Sequence, residues 1–228
     1  MSKGDIAQLY AGHEIALHSH THPFTAYIPN EKIVEEVMEN RKVLERLAGY
    51  VINGMSYPNG SYDDNVIGVF RQCGVVYSRT TLATGKFDLP EDFMKWHSTC
   101  HYSRIPQKWS LTSPQHSHTA LLEKAKEFLE YPEGAKYMPL LYVWGHSHDF
   151  ENDNTWDVIE NFCEYVSMAK NVWFATNIEI YTYITAVRGW KFSAHCSMVY
   201  NPSAISVWIG VDNKPTEIGS GKTVFLRD

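Results

Sequence analysis

The chain reads as an α/β protein built on a parallel sheet or barrel, and three observations predict this. Short apolar runs alternate with amphipathic helical stretches at the spacing of βα units. Gly12, Gly49 and Gly74 stand where three successive helical patterns stop, the place a left-handed cap is wanted. The residues able to carry chemistry gather where predicted strands give way to loops. His18 and His22 follow one strand, Pro58–Gly60 the next, and His146 and His148 a later one. That edge is where βα architectures place functional groups.

Taken in order, residues 5–11 form a short helix closed by Gly12, and 14–18 a strand running into His18-Ser19-His20-Thr21-His22-Pro23. Asn30 caps a long helix, with Glu31, Glu35 and Glu36 near its positive end. Ile33, Val34, Val37, Met38, Leu44 and Leu47 make its apolar stripe, and Gly49 stops it. Residues 51–55 are a strand leading to the turn Tyr57-Pro58-Asn59-Gly60. A helix over 63–73, capped through Asp63-Asp64 and ended by Gly74, precedes a strand over 75–80. Residues 87–114 are irregular and rich in Trp, His and Pro, a long functional loop region. A helix over 119–131 comes next, then a buried-type strand over 138–144 that ends in Gly145-His146-Ser147-His148-Asp149. A helix over 155–170, a strand over 172–175 and a helix over 181–189 complete this part. Beyond Trp190, residues 206–211 and 223–226 alternate, with Asp212-Asn213-Lys214-Pro215 as a turn. The expected division is therefore an α/β domain over 1–190 and a small β appendage over 191–228.

At 228 residues, 44% apolar and 20% charged, the chain can bury one sizeable core. Seven Trp, fourteen Tyr and ten Phe suit a cleft in which rings stack on sugars, although core packing is their commoner use. A net charge of −6 with no basic stripe argues against a nucleic-acid partner. No apolar run reaches the roughly 18 residues of a membrane span. Met1-Ser2-Lys3-Gly4-Asp5 lacks a signal-peptide core, and Cys73, Cys100, Cys163 and Cys196 form no CxxC pair. A cytoplasmic protein is expected.

Three imidazoles within five positions, His18, His20 and His22, make the densest chemical feature. Neutral imidazole is a good ligand for zinc and its neighbours. The four-residue spacing of His18 and His22 would set both on one face of a helical turn, supplying two of a metal's three protein ligands. A His-rich surface loop is the alternative. His146 reads as a metal ligand, a general acid, or a histidine hydrogen-bonded at a strand end.

These residues resemble the polysaccharide deacetylases of carbohydrate esterase family 4, the NodB-homology family. His18-Ser19-His20-Thr21-His22 matches its His-(Ser/Thr)-x-x-His motif, and Gly12-His13-Glu14-Ile15 matches the segment that precedes it. Ser56-Tyr57-Pro58-Asn59-Gly60 is similar to the family's Arg-Pro-Pro-Tyr-Gly, and Leu141 to His146 to its last motif. The resemblance runs from residue 5 to about 190. It implies a distorted (β/α) barrel of NodB type holding one divalent metal, usually zinc, and hydrolysing an N- or O-acetyl group on a carbohydrate. By match, His18 and His22 are metal ligands, His146 the acid, and the Asn59 N–H an oxyanion donor. Tyr57, Trp96 and His101 are the accompanying substrate-binding candidates.

The family's Thr-Phe-Asp-Asp motif, source of the base and the third ligand, is absent. About two βα units are therefore expected to be missing at the N-terminus, leaving a sheet edge that homo-oligomerisation could cover. Ser56 stands where the family has the arginine that orients the base, and Arg79 is the substitute, unless it is a surface arginine. His97 and His101 either line the cleft, pack its wall or complete the metal shell. The expected activity is weak or absent in this chain. A non-catalytic carbohydrate-binding relative and a metal-dependent amidohydrolase acting on small non-peptide C–N bonds are the alternatives.

Overall fold

The computed structural model describes residues 5–103, 119–131, 138–212 and 214–226. The chain divides into two units, Met1–Trp173 and Phe174–Asp228.

The first unit opens with α1 (Ile6–Leu9), and the chain turns at Gly12 with φ +82°. The stretch predicted as a strand over 14–18 is instead a single parallel bridge between Leu17 and Met55. Its two hydrogen bonds, Leu17 N to Gly54 O at 2.8 Å and Ser56 N to Leu17 O at 3.0 Å, still fix the chain against the sheet just before His18. Helix α2 (Asn30–Ala48) ends at Gly49, φ +79°, as its glycine requires. Asn30 does not cap it: the residue lies inside the helix and accepts a bond from Asn65 Nδ2. Strand β1 (Gly54–Ser56) leads into a 3-10 turn, Pro58–Gly60. Helix α3 (Asp64–Gln72) comes next, capped as expected by Asp63, which accepts from Val66 N at 2.8 Å.

Strand β2 (Tyr77–Ala83) and β3 (Trp96–Ser98) join β1 in a parallel sheet of order β1-β2-β3. Strand β4 (Cys100–His101) and β5 (Val143–Trp144) form a separate parallel pair. Both β3 and β4 fall in the stretch read as irregular, because two or three residues are too few to show alternation; the part of that stretch over 104–114 lies outside the described residues. Strand β5 is shorter than the predicted 138–144 and only half-buried. The remaining elements of this unit are α4 (Ala120–Leu129), α5 (Ser147–Asn152) and α6 (Trp156–Ser167). Its main core joins Leu17, Ile33, Val37, Ile52, Met55, Val66 and Phe70, so α2 and α3 close on the same sheet. Full burial of a Leu, Ile or Phe side chain contributes about 1.5–3 kcal/mol.

In the second unit, α7 (Asn177–Arg188) starts earlier than predicted because Thr176 and Glu179 form a capping box. Residues 172–175 form no strand. Strands β6 (Lys191–Phe192), β7 (Met198–Tyr200) and β10 (Thr223–Phe225) make an antiparallel sheet, and β8 (Val207–Val211) with β9 (Lys214–Ile218) a hairpin. Ala186 of α7 shares a core with Val199, Val207 and Ile218, so this helix belongs to the β-rich unit. No helix among the described residues is long and apolar enough to cross a membrane.

Candidate functional site

The histidine run is held from outside by α2. Glu36, only 9% exposed, accepts from His20 N at 2.8 Å, Thr21 N at 2.6 Å and Thr21 Oγ1 at 2.5 Å. One helical turn on, Asn40 Oδ1 accepts from His18 N at 3.0 Å. Burial pushes the Glu36 carboxyl up, but the bonds from Thr21 and His20 outweigh it and hold the group below the ordinary carboxylate range. Ser19 Oγ accepts from His22 N at 3.0 Å, closing the run on itself. The run is not a helical turn, contrary to the spacing argument. Ser19 (φ 64°) and His22 (φ 60°) are both left-handed, and these two turns bring the imidazoles together.

His18 Nε2 and His22 Nε2 lie 3.1 Å apart, with ring centroids at 4.8 Å. His18 Nδ1 is anchored on Ser56, at 2.9 Å from its carbonyl and 2.8 Å from its hydroxyl. Donation of Nδ1–H to that carbonyl places the lone pair on Nε2, the arrangement a metal-ligating histidine needs. Burial lowers the His18 pKa, and the charges of His22, Arg79 and His146 lower it further against the bond to Ser56. The imidazole is thus kept neutral and able to ligate. Asn59, left-handed at φ 55°, brings its amide to 3.4 Å from the His22 carbonyl and 3.5 Å from its Nδ1. Among the described residues, no His, Cys, Asp or Glu completes a three-ligand cluster with this pair.

Arg79 is brought beside them by register, pairing with Ser56 on β1 and with Trp96 on β3. Its guanidinium stacks over the Trp144 ring at 4.3 Å and donates to Thr80 O at 3.0 Å. Burial lowers its pKa, yet guanidinium stays charged, and no carboxylate among the described residues pairs with it. It is not a free surface arginine.

Tyr57 and Trp96 lie in the core. Tyr57 is stacked between Tyr62 and Phe70 and donates to Met94 O at 2.9 Å, while Trp96 packs on Tyr77, Phe93 and Tyr142. His97 Nδ1 meets Thr80 Oγ1 at 2.6 Å. His101 and His146 come together instead with Asp149, whose Oδ2 lies 3.2 Å from His146 Nδ1 and 3.8 Å from His101 Nε2. Burial pushes Asp149 up, and its bond to His146 more than reverses this.

Sequence reasoning missed Glu36, Asn40, Ser56 and Asp149. Glu36 carried a signal: it sits between Ile33 and Val37 on the buried side of α2, where an acid needs a partner. Asp149 was quoted in its motif without a role, although it stands three residues after His146 at the start of a short helix.

Residues 5–78 match the family model for polysaccharide deacetylase. Chitin deacetylase 1 of Cryptococcus neoformans var. grubii is 31% identical over 88 residues, which are 38% of this chain and 19% of that protein. The chain therefore spans about a fifth of the length of that curated relative. Among solved structures, a probable polysaccharide deacetylase from Pseudomonas aeruginosa PAO1 superposes with a TM-score of 0.57 at 20% identity, over 77% of this chain and 60% of that one. Puue allantoinase gives a TM-score of 0.59 at 19% identity, over 78% of this chain and 61% of its own. The fold is accordingly that of the NodB-type deacetylases, an incomplete α/β barrel.

Proposed function

Because the chain carries polysaccharide deacetylase family sequence over residues 5–78, we propose that it serves the metal-dependent removal of an N- or O-acetyl group from a carbohydrate. The observation that carries this reading is the convergence of His18 Nε2 and His22 Nε2, with His18 Nδ1 tied to Ser56. The donor set fits a divalent transition metal, zinc foremost, as two of its protein ligands. A divalent ion there supplies the Lewis acid and the acidified water that amide or ester hydrolysis requires.

The chain's own residues do the rest. Glu36 and Asn40 fix the loop so that both imidazoles are in place before substrate arrives. The Asn59 N–H is the donor for the developing oxyanion. Arg79, a half-buried cation with no carboxylate partner among the described residues, orients an anionic group in the cleft or stabilises charge that develops there. His146 gives the proton to the departing nitrogen or oxygen, with Asp149 holding Nδ1 and leaving Nε2 for proton exchange. Tyr57 and Trp96 support this edge from the core.

The test is a zinc titration of the chelator-treated protein, with acetate release measured on acetylated glycans. His18→Ala and His22→Ala should each abolish zinc binding at this pair. Unchanged zinc stoichiometry in both variants would remove the assignment. Saturable zinc with no acetate from any glycan, but turnover of a small cyclic amide or ureide, would move the substrate to the amidohydrolase class.

A further inference from the structure

A second group of ligand-type side chains lies around Asp149 and shares no residue with the His18–His22 pair. One donor atom each from His101, His146 and Asp149 lie within 4.8 Å of one another. The chain builds this cluster in three steps. The parallel pairing of β4 with β5 sets His101 opposite Trp144, and the Trp144 ring contacts both His101 at 4.6 Å and His146 at 5.7 Å. Gly145 lets the strand pass close to Tyr102: a Cβ there would fall 2.5 Å from the Tyr102 ring. Helix α5 then begins at once and returns Asp149 beneath His146, three residues on.

Each donor is already partly oriented. His101 is nearly buried; its Nδ1 accepts from Ser103 N–H at 3.3 Å and lies 3.1 Å from Ser103 Oγ, so Nε2 faces Asp149 carrying the proton. A metal there requires that proton to leave and Nδ1 to donate to Ser103 Oγ instead. His148 Nε2 approaches the other carboxylate oxygen, Oδ1, at 3.3 Å and stacks on His146 with centroids 5.0 Å apart. Three imidazoles thus surround one carboxylate, more nitrogen donors than a single acid requires as hydrogen-bond partners. Around zinc, tetrahedral donors at about 2.0–2.1 Å sit roughly 3.4 Å from one another. The 3.2 Å edge between His146 and Asp149 already has that length, and the 3.8 Å edge to His101 needs a small closure.

We propose that His101, His146 and Asp149 bind a second divalent transition metal, and that this ion inhibits by taking His146 out of proton transfer. A mixed imidazole and carboxylate set favours zinc, cobalt or nickel over magnesium or calcium. The binding rests only on the cluster, and its inhibitory consequence rests on the deacetylase reading. The cluster offers three donors and the His18–His22 pair two, so the cluster should fill at least as readily as the pair. The outer position of His146 and His148, both exposed, leaves this second site open to solvent exchange.

The experiment is calorimetric titration of the full chain with zinc chloride after chelation, on wild type, His101→Ala and Asp149→Asn. Wild type should show two classes of site. Each variant should keep the His18–His22 class and lose the other, its affinity falling about tenfold or more. His18→Ala should do the reverse. Asp149→Asn keeps the shape of a partly exposed side chain, so it decides the matter should His101→Ala fail to fold. Two unchanged classes in Asp149→Asn, or a single class in wild type that His18→Ala removes, overturns the proposal. In parallel, wild-type acetate release per occupied His18–His22 pair should fall as the class assigned to the cluster fills. Filling of the cluster class without loss of acetate release overturns the inhibitory role alone. Absence of any acetate release leaves no reaction to inhibit, overturns the inhibitory role and leaves the binding result intact.

Discussion

Removing the Glu36 carboxylate should destabilise the larger unit before it affects anything else. The group takes two backbone N–H bonds, from His20 and Thr21, and the Thr21 hydroxyl, in a nearly buried setting. A bond to a charged acceptor contributes about 1.5–3 kcal/mol and a neutral one about 0.5–1.5. Glu36→Gln keeps one oxygen acceptor and loses the charge, so the two N–H bonds together should weaken by about 2 kcal/mol. Glu36→Ala removes all three bonds, and with water able to reach the exposed His20 and Thr21 the loss should be about 3 kcal/mol in all. Guanidinium unfolding at pH 7, followed by Trp fluorescence, reads both numbers. The sign with pH is set by the lowered carboxyl. Its contribution is fully present above the ordinary value of 4.5 and is lost as pH falls through the folded value below it. The gap between wild type and Glu36→Gln should therefore close in that acid range. A Glu36→Ala protein within about 0.5 kcal/mol of wild type at pH 7 would refute the reasoning.

Three further outcomes are expected. Asp63→Ala removes the cap of α3 and should cost about 1 kcal/mol by the same unfolding assay. Asn201→Ala should unfold the second unit selectively. The buried side chain donates to Ile205 O and Ile218 O at 2.8 and 2.9 Å and accepts from Ser203 N at 3.0 Å, so hydrogen exchange should rise over β7 to β10 and stay unchanged over α2 and α3. Burial pushes the Cys100 thiol up to about 12, so iodoacetamide at pH 8 should label exposed Cys196 in the native protein and Cys100 only after unfolding.

Where a residue's job is local, its sequence context showed it. Asp63 before an apolar run, Gly49 and Gly74 after one, and the apolar stripe of α2 all behave as their residue types require. Where the job depends on a neighbour far along the chain, the pattern was silent. His18 and His22 were recognisable as a pair, but their convergence through left-handed Ser19 and His22 depends on Glu36, Asn40 and Ser56, 14 to 38 positions away. Spacing suggested a helical turn because a loop of equal reach leaves no periodic trace. Strands β3 and β4 were invisible for a similar reason. Their stability comes from pairing with β2 and β5, and two or three residues cannot display period-2 alternation. Arg79 was recognisable as a charge at a strand end, whereas its stacking on Trp144 reflects a contact across 65 positions.

Asn201 gains a chemical permanence from its C-terminal neighbour. Asparagine ages by attack of the next residue's backbone nitrogen on its own side-chain amide, a route that converts it to aspartate and isoaspartate. The next residue here is Pro202, whose ring nitrogen carries no hydrogen and cannot close that succinimide. Asn59 has the opposite neighbour, Gly60, whose N–H is held on Tyr57 O at 3.1 Å in the same turn. Asn201 is therefore closed to this route, while at Asn59 the bond from Gly60 N to Tyr57 O must open before the ring can form.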